Sequence, residues 1–247
     1  MLLGILAALT SAFTWGFSTI LIKVGMKDKS PISANIFRLY TVALMYAVVF
    51  YFTGRFQELI SLSPEFLLIA FISAQFGFVI GDYFYFAALK IMGVSRTVPI
   101  TSTYPLWTIV WAIIFLGREI NLQIVAGAVL VVEAIIIVRK ADDGGGVDPR
   151  GFLFAILAPI SWSIAITIMD WLSQRIEVLT LAGLRMLMAA LGISLLLPKY
   201  AGEVRRITKR EALLLAGAAF SDSSWGSMHS FTQSRQWAPK WPPQFRP

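Results

Sequence analysis

The chain has 247 residues, 57% of them hydrophobic and only 14% charged, with a mean hydropathy of +0.72. A soluble domain carries about 25% charged residues, so this balance excludes a water-soluble globular class and points to a polytopic membrane protein. The net charge of +7 lies in short segments between apolar runs, which argues against nucleic-acid binding, and the lack of cysteine excludes disulfides and thiolate metal sites.

Taken in chain order, apolar runs of about 20 residues, the length that crosses bilayer hydrocarbon, predict helix 1 at Leu3–Leu21, helix 2 at Ile32–Phe52 and helix 3 at Pro64–Leu89. Helix 4 follows at Thr97–Leu116 and helix 5 at Leu122–Val138. The first run is long enough to span and ends at Lys23 and Lys27 without a small-residue cleavage site, so it reads as a span and not a cleaved signal. The polar stretch ADDGGGVDPR (Ala141–Arg150) reads as a flexible hinge between two halves. Helix 6 is expected at Gly151–Leu172 and helix 7 at Val178–Leu197, and an eighth begins near Glu211 and stops at Phe220. The fold class is therefore all-α and integral to the membrane, with seven full spans and a partial eighth.

Lysine and arginine in short loops stay cytoplasmic. Loops 1–2, 3–4, 5–6 and 7–8 hold thirteen of them, whereas the others hold only Arg55, Arg118 and Arg175. That bias predicts a multi-pass protein of the cell membrane with its N-terminus outside. The two halves also repeat. Gly4, Leu6, Ala8 and Trp15 align with Gly151, Leu153, Ala155 and Trp162, and Arg38, Ala43 and Leu44 with Arg185, Ala190 and Leu191, every pair 147 residues apart. EFLLIA at Glu65 and EALLLA at Glu211 are 146 apart. An arginine recurring in register inside an apolar helix weighs more than matched leucines. Residues 1–140 then form one five-helix unit, 141–150 the linker and 151–220 an incomplete second unit. An odd number of helices inverts the second unit in the membrane, and inverted repeats mark transporters whose solute site lies near the midplane.

Residues Gly81–Glu119 place Asp82, Pro99, Thr101, Ser102, Thr103, Tyr104 and Pro105 within otherwise lipid-compatible helices. Polar side chains and helix breakers at that depth belong where the backbone faces protein or water, so helices 3 and 4 are expected to line a solute path. This stretch resembles the hallmark of the EamA-type transporters in the drug/metabolite transporter superfamily, carried here by Ala87–Lys90, Pro99–Ser102, Pro105 and Gly117–Glu119. Arg118 departs from it, because the family more often has the glutamate directly after the glycine. The resemblance covers residues 1–220. It implies ten helices in two inverted repeats and permease-type secondary transport of a small metabolite, often export of amino acids or related compounds.

After Phe220 the chain leaves its own pattern: residues 221–247 contain three tryptophans, four prolines and no span. Read from the third base of each codon, Trp225–Gly226 and Trp237–Ala238 can encode only glycine, and these two glycines fall opposite Gly81 and Gly93. Matches to Tyr83, Ala88, Lys90, Pro99 and Ile100 are permitted by the code, while two forced alanines match nothing. The expectation is a frameshift near Ser221–Ser224 that replaced helices 8 to 10, leaving an aberrant, disordered tail and an impaired transporter.

Eight residues are candidates for solute binding: Trp15, Arg38, Gln75, Asp82, Ser102, Tyr104, Trp162 and Arg185. Arg38 and Arg185 either bind an anionic or carboxylate group or snorkel to a head group. Asp82, one heptad from Gln75 and so on nearly the same helix face, either takes a cationic group or coupling proton, or pairs with Lys90 or an arginine. Trp15 and Trp162 either wall an apolar cavity or pack as interface aromatics. Ser102 and Tyr104 flank the Pro105 break and either bond a solute or pack. Cofactors, metals and catalytic residues are not expected. A membrane transferase needs a nucleophile–base pair or a metal cluster, and the only histidine, His229, lies in the tail. A scaffold or receptor-like protein is the remaining alternative, which would not require inverted units. The expected partners are a small-molecule solute and the bilayer, with a second copy or a complementing fragment supplying the half of the cavity wall lost with helices 8 to 10.

Overall fold

The computed structural model describes residues 2–116, 122–140 and 148–221, and among them every regular element is a helix. In order these are α1 (Leu2–Gly25), α2 (Pro31–Thr53), α3 (Phe56–Ile60), α4 (Pro64–Ala74), a π-helical segment (Gln75–Gly81), α5 (Asp82–Met92) and α6 (Val94–Thr101). Then come α7 (Tyr104–Leu116), α8 (Leu122–Lys140), α9 (Pro149–Leu172), α10 (Val178–Ile193), α11 (Leu197–Val204) and α12 over residues 209–221. The Gly117–Glu119 hallmark, most of the linker and residues 222–247 lie outside the described residues.

The helix starts follow from local chemistry. Ser30, Ser63 and Asp148 each stand before a proline and accept a backbone N–H of the first turn, from Ser33, Phe66 and Arg150 respectively. A capping side chain followed by a residue that has no N–H to satisfy is a strong start signal. Thr208 and Glu211 form a reciprocal capping box at the head of α12, with Thr208 N–H donating to Glu211 Oε2 at 2.7 Å and Glu211 N–H to Thr208 Oγ1 at 3.3 Å. Gly54, in the left-handed region at φ 71°, closes α2.

Four continuous helical runs among the described residues are long and apolar enough to cross a membrane: Pro31–Thr53, Pro64–Met92, Pro149–Leu172 and Val178–Val204. Their outer faces carry large apolar side chains, such as Phe52 at 80% exposure and Leu195 at 83%. A belt of that kind is stable against hydrocarbon and not against water.

Two spans and one loop differ from expectation. Helix 4 is split into α6 and α7 at Ser102–Thr103, because Pro105 sits in the first turn of a new helix, where its missing N–H costs nothing. Helix 7 does not stop at Leu197: a 3₁₀ turn at Ser194–Leu196 carries the chain into α11, to Val204. The loop after helix 2 contains a short helix, α3, that apolar periodicity does not signal.

α2 and α10 approach closely through Gly183, where an added Cβ would stand 2.7 Å from Phe50 Cε1 and 2.8 Å from Tyr46 Cδ1. Alanine normally gains about 1 kcal/mol over glycine inside a helix. Here overpacking opposes it by ~1–3 kcal/mol. Gly183→Ala is therefore expected to lower the thermal midpoint of the purified protein, and Phe50→Leu in the same chain to restore it. A raised midpoint for the single variant would refute this packing.

Candidate functional site

The Pro64–Met92 run changes hydrogen-bond pattern in its middle, at the π-helical segment Gln75–Gly81. Wider turns misalign carbonyls, and at membrane depth each freed carbonyl needs a donor. Asn35 Nδ2 of α2 donates to Phe78 O at 2.7 Å, and Ser161 Oγ of α9 donates to Phe76 O at 2.5 Å. Gly81 lets the Trp162 indole lie against the backbone there, since a Cβ would stand 2.5 Å from Trp162 Cδ1 and 2.9 Å from Phe76 O.

The segment delivers Asp82, 6% exposed, to the meeting point of four helices. Arg38 Nη2 of α2 donates to Asp82 Oδ2 in a buried ion pair, and Trp162 Nε1 of α9 donates to Asp82 Oδ1 at 2.9 Å. Arg38, itself 5% exposed, also lies over the Phe86 ring, 5.3 Å from its centroid. Trp162 meets Tyr85 edge-on at 5.0 Å and Trp15 at 6.4 Å, and Trp15 stacks on Tyr85 at 6.1 Å. The Tyr85 hydroxyl and Thr19 Oγ1 share a hydrogen bond of 2.6 Å. Trp15, Arg38, Asp82 and Trp162 thus form one cluster that joins α1, α2, α5 and α9.

The geometry resolves some alternatives left by the sequence. Asp82 pairs with Arg38 and not with Lys90, whose Nζ donates to Lys29 O at 2.6 Å. Arg38 does not snorkel; it is held inside the helix bundle. Gln75 and Asp82 do not share a face, because π turns advance fewer degrees per residue than the α geometry that the heptad assumes. Gln75 turns instead to α10, where Nε2 donates to Met188 O at 3.0 Å and the absent side chain of Gly192 leaves room for it.

Arg185 of α10 is also 5% exposed but lies apart from the cluster. It sits over the Phe78 ring at 4.9 Å, with Nη1 on Met169 Sδ at 2.8 Å. Ser102 Oγ donates to Val98 O at 2.8 Å within its own helix, and Tyr104 is 37% exposed; neither joins the cluster. Asn35, Tyr85 and Phe86 are missed by the sequence reading. Their spacing carries the signal, since Asn35 is three residues before Arg38, and Tyr85 and Phe86 are three and four after Asp82.

Two polar clusters fasten the ends of α2 to the second half of the chain. At its N-terminus, Glu203 accepts from Ser30 N–H, from Ser30 Oγ at 2.7 Å and from Ser33 Oγ at 2.6 Å. Beside it Lys29 Nζ donates to Arg206 O at 2.9 Å and lies 3.7 Å from Glu211. Beyond its C-terminus, Arg55 Nη1 pairs with Glu177 and donates to Thr180 Oγ1 at 2.6 Å, while Thr180 Oγ1 donates to Glu58 Oε2 at 2.7 Å. Residues of loops 1–2, 3–4 and 7–8 therefore gather at one end, and those of loops 2–3 and 6–7 at the other. Among the described residues no group of three His, Cys, Asp or Glu side chains converges to hold a metal ion.

The model of the EamA-like transporter family matches residues 2–140 and 149–231. The second segment runs past Phe220, where the repeat pattern of the sequence breaks. An uncharacterized transporter of Archaeoglobus fulgidus is 32% identical over 195 residues, covering 78% of this chain and 68% of that protein. A protein of known crystal structure shares the fold with a TM-score of 0.64 at 17% identity, over 91% of this chain and 79% of its own.

Proposed function

The chain belongs to the EamA-like transporter family, a family of membrane transporters, and from that premise we propose that it is a secondary, permease-type exporter of a small metabolite such as an amino acid or related compound. The observation that carries this reading is the buried Asp82, held by Arg38 from the first half of the chain and by Trp162 from the second. A carboxylate shared between halves at membrane depth, beside a π-helical break, is the arrangement expected where two inverted repeats meet around a solute. The two inverted repeats, a five-helix unit and an incomplete second one that together give seven spans and a partial eighth, the N-terminus outside the cell membrane and the frameshift near Ser221–Ser224 are part of the same proposal. The equivalence of Trp15 and Trp162, which touch in the structure, supports the repeat.

The proposal is tested by flux in proteoliposomes loaded with a mixture of labelled amino acids. This chain alone is expected to release them slowly, and faster when a second copy or a complementing fragment is present. The product of the gene with its reading frame restored after Phe220 is expected to release them fastest. Equal rates for the two gene products overturn the frameshift reading, and no release by either overturns the transport of amino acids.

A further inference from the structure

The register of the sequence equates Arg38 with Arg185, and both are buried over a phenyl ring, Phe86 and Phe78, yet the fold gives them different polar partners. Arg38 has the Asp82 carboxylate. Arg185 has no acid beside it among the described residues, and its Nε–H has no hydrogen-bond partner. Its Nη1 reaches only the thioether sulfur of Met169, a weak acceptor, and its plane lies over Phe78. A guanidinium stays charged in a protein, and a buried charge needs a counter-charge and oxygen acceptors. Position 77, directly beside it, is glycine, and a Cβ there would stand 3.2 Å from Nη2. Nε and Nη2 lie along one edge of the guanidinium, the edge that receives a carboxylate through two parallel bonds. The neighbouring side chains, Phe78, Met169 and Ala165, are apolar.

We propose that Arg185 anchors the carboxylate of the solute side-on through Nε and Nη2, and that the solute is a monocarboxylate with a small apolar body. This rests on the transporter reading above and names the chemistry of its substrate. Arg38 does not share the task, because its counter-charge is built in. One cation flanked by aromatic and aliphatic groups suits a singly charged carboxylate; a phosphate dianion would need a second cation. Met169 and Phe78 hold the plane of the guanidinium, and Gly77 sets no side chain against its Nη2.

The test compares acids with their amides on the full chain in detergent: 4-methylpentanoate against 4-methylpentanamide, and L-leucine against leucinamide. At millimolar concentration at least one acid is expected to raise the unfolding midpoint of the wild-type chain, and its amide to leave it unchanged. Arg185→Gln and Arg185→Lys, which lose the fork, are expected to weaken the effect of the acid at least about tenfold. Gly77→Ala crowds Nη2 without touching the charge and is expected to weaken it several-fold, so the test stands even if Arg185→Gln fails to fold. Acid and amide acting alike, or an acid effect that survives in Arg185→Lys and Gly77→Ala, overturns the assignment. Counterflow in proteoliposomes separates the two levels. Acid and amide moving equally well leaves transport standing and removes Arg185 as anchor, whereas neither moving, with no midpoint shift, removes both.

Discussion

Replacing Asp82 with asparagine is expected to destabilise the protein by about 3–5 kcal/mol and to stop transport. The Arg38–Asp82 pair is buried on both sides, and the Arg38 guanidinium cannot shed its proton when the carboxylate is removed. The amide oxygen of the introduced asparagine could still accept from the Trp162 indole, so that bond survives and the loss falls on the stranded charge. Asp82→Glu keeps the charge but lengthens the side chain where Gly81 already holds the indole against the backbone. It should sit between wild type and Asp82→Asn. The double variant Arg38→Met, Asp82→Leu removes both charges and should recover most of the lost stability, because a buried ion pair replaced by apolar groups of similar volume is near neutral. It should not recover transport. Thermal unfolding in detergent micelles together with proteoliposome flux reads both quantities. An Asp82→Asn protein as stable as wild type would show that Arg38 has another counter-charge, and a transporting double variant would show that the pair is only a brace.

That pair also shows what is legible in the sequence. Composition and apolar run length identify a membrane protein, and the 147-residue offset singles out Arg38, Arg185, Trp15 and Trp162 without any alignment. Three of these, with Asp82, do come together in one cluster. The partner of Asp82 stays open at that level because distance along the chain carries no information on which helix faces which. The shared Gln75–Asp82 face fails because a π-helical segment has no apolar signature; QFGFVIG reads as well in an α-helix. The end clusters are invisible for a different reason. Glu203 and Glu177 are ordinary loop acids until the fold sets them against Ser30 and Arg55. Ser102 and Tyr104 stand out in the sequence through their proximity to Pro105, and the proline does mark a helix break there, but the Ser102 hydroxyl is spent on its own backbone.

Short chemical cross-links across either end of α2 are expected to abolish transport. α2 has 23 residues and, at 1.5 Å per residue, spans roughly 34 Å, the full hydrocarbon depth. Each end is fastened to the second half, by Glu203 at one and Glu177 at the other. A site that opens alternately to the two sides requires the halves to separate at one end while they stay joined at the other. The two fastenings differ in strength. The Glu177 side chain is half exposed, and such pairs are worth about 1 kcal/mol or less. Glu203 accepts three hydrogen bonds at the capped start of α2, so the end away from Glu203 should open first. Because the chain has no cysteine, Arg55→Cys with Glu177→Cys, and Ser30→Cys with Glu203→Cys, give pairs without background labelling. Bridging either pair with a reducible bifunctional thiol reagent should cut flux at least tenfold, a change of about 1.4 kcal/mol in the barrier, and reduction should restore it. A membrane-impermeant reagent applied to intact cells should reach only the 55/177 pair, which tests the proposed orientation in the same experiment. Flux unchanged by both bridges would mean that α2 and the second half move as one body, and the parting surface would then have to lie elsewhere, along α1 or α5.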